Sequence, residues 1–259
     1  MRVVSISVNG LRQAIEKGFF EWLAGQDADV VCVQDHRVRV FEVEEDPSLV
    51  PAGYQAFFFD GEDDEDGGVG IYTRHLPKAI IHGFDSGPAD RHGRFIQADF
   101  DRVSVVSVLA PCALEDNTRQ AEKDEFMDSF MGFMGKTLRK RRQYIVCAAL
   151  HTAHHVTDTS ARFHKMEVSG FLPHERAWLD ELFDEMGYVD AFRAVSLSGG
   201  QYTWWPEWAR NWRRQSGWRT DYQILSPGLR RSLEDGVIDA DTRFSDHAPL
   251  IMDYAIPRG

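Results

Sequence analysis

Apolar positions near the start of the chain follow two different spacings. Apolar residues recur every four positions at Leu11, Ile15, Phe19 and Leu23. This spacing predicts one amphipathic helix that ends near Gly25, because residues four apart share a helix face. The continuous apolar run at 30–33 is typical of a strand that is covered on both faces. With the strand pattern at 1–8, the chain is predicted to begin with strand, helix and strand.

Similar patterns predict the later elements. Several segments alternate apolar and polar side chains, as half-buried strands do. Further strands are predicted at 54–59, 69–73, 95–100, 103–109, 144–150, 222–225 and 249–254. A second helix is predicted from an apolar stripe at Phe126, Phe130, Phe133, Met134 and Leu138. A third helix is predicted to begin at Pro173 and to stop at Gly187.

Many short strands with few intervening helices indicate the fold class. We predict an α/β sandwich in which two sheets pack together and helices cover the outside. Neither a Pro/Ser-rich linker nor an internal repeat divides the 259 residues, so one domain covering 1–259 is predicted.

Composition restricts the function classes. Hydrophobic residues make up 43% of the chain and aromatic residues 12%, which is typical of a soluble globular protein. The formal net charge of -12 argues against tight, autonomous binding to nucleic acid, because such binding needs a dense basic surface. The sequence shows no signal peptide and no apolar run long enough to span a bilayer. Three cysteines without zinc-binding spacing favour a reducing compartment, so a cytoplasmic location is predicted.

Candidate chemistry lies near the C-terminus. The segment SDHAPL at 245–250 places Asp246 beside His247, just before the last predicted strand. An Asp-His pair alone is common on protein surfaces, whereas the full segment is far more specific. The acidic run at 60–66 lacks ordered ligand spacing, so we interpret it as a solvated loop rather than a metal site.

Five ordered motifs together make the chain resemble the exonuclease III and apurinic endonuclease family. They are VNGLR at 8–12, VQD at 33–35, FLPHERAWLDELF at 171–183, GWRTDY at 217–222 and SDHAPL at 245–250. The resemblance runs nearly from end to end of the chain. It implies the endonuclease/exonuclease/phosphatase fold, a four-layer α/β sandwich with a pocket at one edge of the paired sheets.

The resemblance also implies which positions would carry chemistry. In working members, an asparagine in the first strand and a glutamate after the second hold metal and phosphate. The corresponding positions here are Ser7 and Asp35. A supporting tyrosine of the family falls on Leu109, and the two polar residues of a GDxN signature fall on Ala149 and His151.

Three positions, Asp221, Asp246 and His247, keep the family's residue. Because catalytic groups act as a unit, the losses elsewhere predict a vestigial pocket without a competent catalytic residue. The chain is therefore predicted not to be an enzyme. No metal site is predicted, and Asp35 is a weak candidate ligand.

An alternative reading gives His151 the role of a lost group, since histidine can act as a base or a metal ligand near neutral pH. His154, His155, Asp158 and His92 would enrich such a site. A single replacement that rebuilds a metal pocket is rarer than decay, and these histidines lack a recognised zinc spacing.

A closer resemblance exists within this family. The segments QDHR at 34–37, DRHGRFIQADFD at 90–101, RKRR at 139–142 and PGLRR at 227–231 are similar to those of the catabolite repression control proteins of pseudomonads. That resemblance implies a catalytically silent chain that acts with the RNA chaperone Hfq on A-rich mRNA to repress translation. An acidic chain with a concentrated basic cluster would bind free RNA weakly, yet add phosphate contacts inside a joint complex.

Candidate contacts with RNA or a partner are basic and aromatic residues outside the pocket motifs. They are Arg139, Lys140, Arg141, Arg142, Arg230, Arg231, Trp208 and Trp212. The segment 139–142 also reads as a solvated helix end, where positive charge suits the helix dipole. Trp204 and Trp205 are assigned to the core.

Two enzymatic alternatives remain open. One is a magnesium-dependent apurinic endonuclease or 3′ exonuclease that uses Asp35, Asp221, Asp246 and His247. The other is a phosphatase that acts on a small phosphoester. No cofactor is predicted for the non-catalytic protein, and Mg²⁺ is predicted for the nuclease.

Overall fold

The computed structural model describes residues 1–62, 67–113, 118–161, 163–164, 167–206 and 216–257. Its strands are β1 (Arg2–Ser7), β2 (Val30–Gln34), β3 (Gln55–Phe59), β4 (Val69–Thr73), β5 (Ala79–His82), β6 (Phe95–Asp99), β7 (Val103–Leu109), β8 (Gln143–Ala149), β9 (Val189–Asp190), β10 (Asp221–Leu225), β11 (Leu233–Ile238) and β12 (Leu250–Tyr254). Its helices are α1 (Leu11–Glu16), α2 (Phe19–Ala24), α3 (Val40–Glu45), α4 (Gly87–Arg91), α5 (Gln120–Leu138), α6 (Pro173–Asp180) and α7 (Ala191–Val195). Short turns of tighter or wider helix lie at Pro47–Leu49, Val156–Asp158, Glu181–Glu185 and Pro227–Ser232.

The described strands form two sheets of six strands each. The first has the order β11-β12-β1-β2-β4-β3, and the second has the order β5-β6-β7-β8-β10-β9. A parallel pair lies at the centre of each sheet, β1 with β2 and β7 with β8. The strands beside each parallel pair run antiparallel to it.

Alternating side chains divide the apolar interior into layers. One side of both sheets, including Val3, Cys32 and Ile145, packs in the space between them. The other side of the first sheet packs under α1 and α2, and the other side of the second packs under α5 and α6. The order helix, sheet, sheet, helix confirms the predicted four-layer α/β sandwich.

Buried amides tie the two sheets together. Gln34 of β2 donates from Nε2 to Oγ of Ser107 in β7, at 2.9 Å. Gln223 of β10 donates from Nε2 to the carbonyl oxygens of Val3 and Leu250, at 3.1 and 3.0 Å. Because unmade hydrogen bonds in an apolar interior are costly, these contacts fix how the sheets sit against each other.

The structure differs from the predicted elements near the N-terminus. The single helix predicted from residue 11 to Gly25 is two helices, α1 and α2. The break falls at Gly18, whose φ of 95° is incompatible with a continuous right-handed helix. The apolar stripe still faces the core, because Leu11, Ala14, Phe19 and Leu23 are all buried.

Short elements at the edges of the sheets carry little sequence signal. β5 and β11 were not predicted, and both have several exposed residues. An edge strand has only one neighbour and a partly solvated face, so its apolar pattern is weak. Within the described parts of the chain, no helix combines the length and the apolar character needed to cross a membrane.

Candidate active site

The candidate site forms where the ends of eight strands meet at one edge of the sandwich. Because the central strands are parallel in pairs and their neighbours antiparallel, carboxyl ends of four strands meet amino ends of four others. The residues at these ends are Ser7, Asp35, Leu109 and Ala149 on one hand, and Gly67, Arg94, Asp221 and His247 on the other. The fold thus collects polar groups from distant parts of the sequence.

An open cavity of about 240 Å³ occupies this edge. Its lining includes Ser7, Asn9, Asp35, Arg37, Gly67, Arg94, Leu109, Ala110, Cys112, Arg119, His151, Trp204, Asp246 and His247. Ala149 is buried in the apolar layer between the sheets and does not line the cavity. Ala149 is nevertheless adjacent to the cavity, because it pairs with Leu109 of β7 and with Asp221 of β10.

His247, which lines the cavity, belongs to a buried ion pair. Nδ1 of His247 lies 2.9 Å from Oδ2 and 3.0 Å from Oδ1 of Asp221. Burial alone would lower the pKa of His247, but the charge and hydrogen bond of Asp221, with Asp246 and Asp35 nearby, raise that pKa to about 9. His247 is therefore an imidazolium at neutral pH.

Asp246 is held by three donors. Asn9 donates from Nδ2 to Oδ1 at 3.0 Å, Ser245 donates from Oγ to Oδ1 at 3.2 Å, and Trp204 donates from Nε1 to Oδ2 at 3.1 Å. Burial would raise the pKa of Asp246, but His247 and the hydrogen bonds from Asn9 and Trp204 lower it below its ordinary value. Asp246 is thus a fixed anion beside the His247 ion pair.

His151 lies in the turn after β8, with its ring 5.9 Å from the ring of His247. Its backbone has a positive φ of 50°, and its carbonyl oxygen accepts a hydrogen bond from Nζ of Lys123 at 2.9 Å. Burial lowers the pKa of His151 well below the ordinary histidine value, and the cations His247, Lys123 and Arg94 lower it further. His151 is therefore neutral at neutral pH.

Asp35 faces the cavity from the end of β2. Its carboxylate makes a bidentate contact with Arg37, with Nε and Nη2 each at 2.9 Å from an oxygen. Gly67 passes so close that an added Cβ would lie 2.3 Å from Oδ1 of Asp35, so only glycine fits there. Leu109 also lies close to Gly67 and lines the cavity.

The described residues do not fit a metal ion held by a protein cage. Among them, no group of three or more His, Cys, Asp or Glu side chains that could hold a metal ion is formed. The oxygens of Asp35 are engaged by Arg37, and those of Asp221 by His247. Ser7 replaces an amide that the resemblance implied as a ligand, so Asp35 stays the single candidate.

Arginine side chains surround the mouth of the cavity. Arg94 and Arg119 both contact Glu122, and both line the cavity together with His247. A second cavity of about 500 Å³ shares Asn9, Arg37 and Asp246 with the first, and it therefore adjoins it. The second cavity also carries basic side chains, namely Arg12, Lys17, Arg37 and Arg243. Such a cationic cleft suits an extended phosphate-bearing ligand.

The structure brings the predicted pocket residues together; Ala149 and Asp221 lie beside each other next to the cavity without lining it. The other histidines do not join them. His154 stacks on His155 and bonds Asp180 at 2.7 Å, while Asp158 is enclosed by arginines elsewhere. Trp205 is buried in the core as predicted, whereas Trp204 is half-buried and lines the cavity.

The predicted RNA and partner contacts lie at the opposite end of the second sheet. Arg139, Lys140, Arg141, Arg230 and Arg231 are exposed there, and Arg142 is half-buried with Nη1 2.8 Å from the carbonyl oxygen of Phe100. The length of β8 separates this surface from the pocket, roughly 20 Å at about 3.3 Å per residue. Trp208 and Trp212 lie outside the described residues.

Sequence reasoning missed several residues of the site. Asn9, Arg94 and Arg119 were not predicted to line a pocket, and the pairing of Asp221 with His247 was not predicted either. Asn9 and Arg94 stand next to predicted strands, at ends that the fold brings together. Their position beside the ends of predicted strands was the signal by which the sequence could have identified them as site residues.

Comparisons with known proteins agree with this architecture. Residues 8–247 match the sequence profile described as the Endonuclease/Exonuclease/phosphatase family. An exodeoxyribonuclease of Bacillus subtilis is 29% identical over 96% of this chain and 98% of its own length. The DNA repair nuclease APEX1 of Danio rerio is 27% identical over 99% of this chain and 83% of its own. The structure of an AP endonuclease from Archaeoglobus fulgidus superposes with a TM-score of 0.86 at 22% identity, covering 99% of this chain and 100% of that one.

These comparisons contradict the prediction that the chain is not an enzyme. Relatives that align over nearly its whole length are named as nucleases, and none of the comparisons shows a loss of activity. The prediction treated missing donors at Ser7, Leu109, Ala149 and His151 as a lost function. The structure instead retains an open pocket with a buried ion pair and a cationic rim.

Proposed function

Because the chain belongs to the endonuclease/exonuclease/phosphatase family, we propose that it hydrolyses phosphoesters of nucleic acid, at an abasic site or at a 3′ end. The relatives named as exodeoxyribonuclease and apurinic endonuclease support this substrate class. The observation that carries the proposal is the His247–Asp221 ion pair, buried in the wall of an open, arginine-rimmed cavity. A permanent imidazolium inside a pocket has its clearest use in binding and stabilising an anion.

Each residue has a role in this proposal that follows from its contacts. Asp221 keeps His247 protonated through Nδ1, which leaves Nε2 of His247 to donate its proton to a phosphate in the cavity. Arg94 and Arg119 add positive charge to the lining of the cavity. Asn9 and Trp204 fix Asp246 by hydrogen bonds, and Asp246 in turn helps to position the neighbouring His247–Asp221 pair. A negative charge that develops on phosphate oxygens is stabilised by such preorganised donors.

The test uses purified protein and two duplex DNA substrates, one with an abasic site and one with a 3′-phosphate at a nick. Both are assayed with Mg²⁺ and with EDTA, because Mg²⁺ is the cofactor predicted for a nuclease of this kind. The wild-type chain is expected to cleave at least one substrate. His247→Ala is expected to lower turnover by about 10²- to 10⁴-fold, the usual contribution of a group that acts in proton transfer or charge stabilisation.

His174→Ala is the matched control, because His174 is exposed and neither it nor its partner Asp124 lines the cavity. This control should keep wild-type turnover. Absence of cleavage by the wild-type chain on both substrates, or equal turnover in His247→Ala, contradicts the proposal.

A second proposal concerns partners, and the basic surface away from the pocket favours it. We propose that Arg139, Lys140, Arg141, Arg230 and Arg231 contact A-rich mRNA or the chaperone Hfq in a joint complex. The turn at 227–232 packs on Gln143, directly after the segment 139–142, so the two basic segments lie side by side. With a net charge of -12, the chain needs such a local cluster to approach RNA.

Mobility-shift assays with Hfq and an A-rich oligonucleotide test this second proposal. The double variant Arg141→Glu/Arg230→Glu should abolish the three-component complex, while Arg91→Glu, on an exposed site near the other end, should leave it intact. Complex formation that is equal in all three proteins contradicts the proposal.

A further inference from the structure

Two histidines of different charge face each other in the candidate active site. The rings of His151 and His247 are 5.9 Å apart and inclined by 75°, and both line the same cavity. In the described residues, neither ring nitrogen of His151 has a hydrogen-bond partner, and neither does Nε2 of His247. Three ring nitrogens are thus available to a ligand in this cavity.

The position of His151 is rigidly defined. Its carbonyl oxygen accepts a hydrogen bond from Nζ of Lys123, and Lys123 is paired with Glu175 at 2.7 Å. The side chains of Lys123 and Glu175 are both fully buried. A left-handed backbone at His151 is costly for a residue with a side chain, so this anchoring stabilises an unusual conformation. The conformation directs the ring into the cavity beside His247.

The surroundings push the protonation states of the two histidines apart. Asp221 raises the pKa of His247 to about 9, whereas burial and nearby cations lower the pKa of His151. The charged groups that face His151 are His247, Lys123, Arg94 and Asp246, and of these only Asp246 opposes the lowering. Titratable neighbours whose pKa values are driven apart are a mark of an acid and a base.

We propose that His151 is the general base that deprotonates the attacking water, and that His247 is the acid that protonates the leaving oxygen. The inference rests on the proposed hydrolysis of phosphoesters and assigns a role that the family resemblance did not give to position 151. It follows from the disagreement between the described residues and a metal cage, because the imidazole of His151 stands where an amide donor is missing, beside the retained imidazole of His247.

The reaction balances with these two groups. The water oxygen forms a bond to phosphorus while its proton moves to the neutral nitrogen of His151. The bond between phosphorus and the leaving oxygen breaks, and that oxygen takes the proton from Nε2 of His247. The products are a phosphate and an alcohol. His151 then releases one proton to solvent and His247 takes one up, which restores the starting states.

The geometry suits this step. In a displacement at phosphorus, the attacking and leaving oxygens lie roughly in line on opposite sides. An acid or base must come within hydrogen-bond reach of its oxygen, about 3 Å between heavy atoms. Two rings 5.9 Å apart that flank the line of attack can each reach one of these oxygens.

The test compares His151→Ala with wild type on the duplex substrates above. His151→Ala is expected to lower kcat by about 10²-fold or more, with unchanged affinity for a duplex that carries a phosphorothioate at the scission site. Added imidazole should restore turnover of His151→Ala by about tenfold, because it can supply the missing base in an open cavity. A purely structural role of His151 would not respond to imidazole.

The pH profile gives a second reading. Turnover of wild type should fall in acid, as His151 becomes protonated, and the acid limb should disappear in His151→Ala. His155→Ala is the control, since His155 is exposed on the same segment and does not line the cavity. Wild-type turnover in His151→Ala, or a defect that neither imidazole nor pH alters, overturns the inference and leaves the proposed function standing. A wild-type chain without hydrolytic activity overturns both.

Discussion

Two clusters of buried charge lie close in sequence and differ in what surrounds them. One is the His247–Asp221 pair, with His151 beside it. The other centres on Asp158, which accepts from Nε and Nη2 of Arg219 at 2.9 and 3.1 Å and also from Arg193. Both clusters use an aspartate with side-chain exposure of 3% or less.

The difference is whether a polar atom faces the cavity. Arg219 stacks over the ring of Tyr222 at 4.6 Å and pairs with Asp190 at 2.7 Å; its Nη1 has no hydrogen-bond partner among the described residues, but the side chain is fully buried and does not line the cavity. Only Nδ1 of His247 contacts Asp221, and Nε2 of this cavity-lining residue remains available. We conclude that the Asp158 cluster holds segments together, whereas the His247 cluster is available to a ligand.

The largest expected effect comes from breaking the Asp158 cluster. Arg219→Leu leaves Asp158 as a buried anion that has lost its principal partner, which should lower the free energy of unfolding by about 3 to 5 kcal/mol. Urea unfolding measures this loss. Turnover per folded molecule should stay near wild type, because Arg219 does not line the cavity. If Arg219→Leu were stable and its turnover impaired, the Asp158 cluster would have a functional role and the contrast between the two clusters would be wrong.

A smaller effect on stability, with a large effect on activity, is expected at the His247 cluster. Asp221→Asn keeps the size of the side chain but removes the charge that keeps His247 protonated, so turnover should fall by about 10²-fold or more. NMR titration of the histidine should show its pKa moving down from about 9. An unchanged pKa with lost activity would indicate a positioning effect only.

The smallest expected effect is on how the stability contributed by each cluster depends on pH. The pKa of His247 is raised from 6.5 to about 9, so its contribution to stability is complete below about 6.5 and is lost as pH rises through about 9. Burial would raise the pKa of Asp158, but Arg219 and Arg193 lower it below 3.8, so its contribution is present above 3.8 and is lost in stronger acid.

Unfolding experiments across the pH scale check both signs. His247→Gln should remove the alkaline loss of stability and leave the acid limb unchanged. Asp158→Asn should flatten the acid limb instead. Stability that declines at the same end of the scale in both variants would mean that the clusters are coupled.

Patterns in the sequence predicted the interior of the fold well, because interior strands are covered on both faces. β4 and β7 begin and end where they were predicted. The break at Gly18 was missed because the four-residue spacing continues across it. The turn is visible only in the positive φ of Gly18, which the apolar pattern does not show. β5 and β11 were missed because their exposed residues interrupt the apolar pattern.

The site was harder to predict than the fold, because its contacts join residues that are distant along the chain. Asp246 and His247 are neighbours in sequence, yet the carboxylate that pairs with the ring of His247 is Asp221, from β10. Ala149 was correctly placed at the end of a strand, but its burial between the sheets depends on the packing of the two sheets. Loss of donors was visible in the sequence, and the imidazole pair that stands in the cavity became visible only in three dimensions.

The pairing of β1 with β12 has a consequence for protein synthesis. Arg2 aligns with Asp253, so the first strand can pair with β2 early in synthesis but gains its second neighbour only after β12 has left the ribosome. Ser7 and His247, which these two strands bring to one cavity, therefore remain apart until β12 has been synthesised. Until then, the nascent chain exposes an unpaired strand edge to chaperones, and no partial product can contain the assembled pocket.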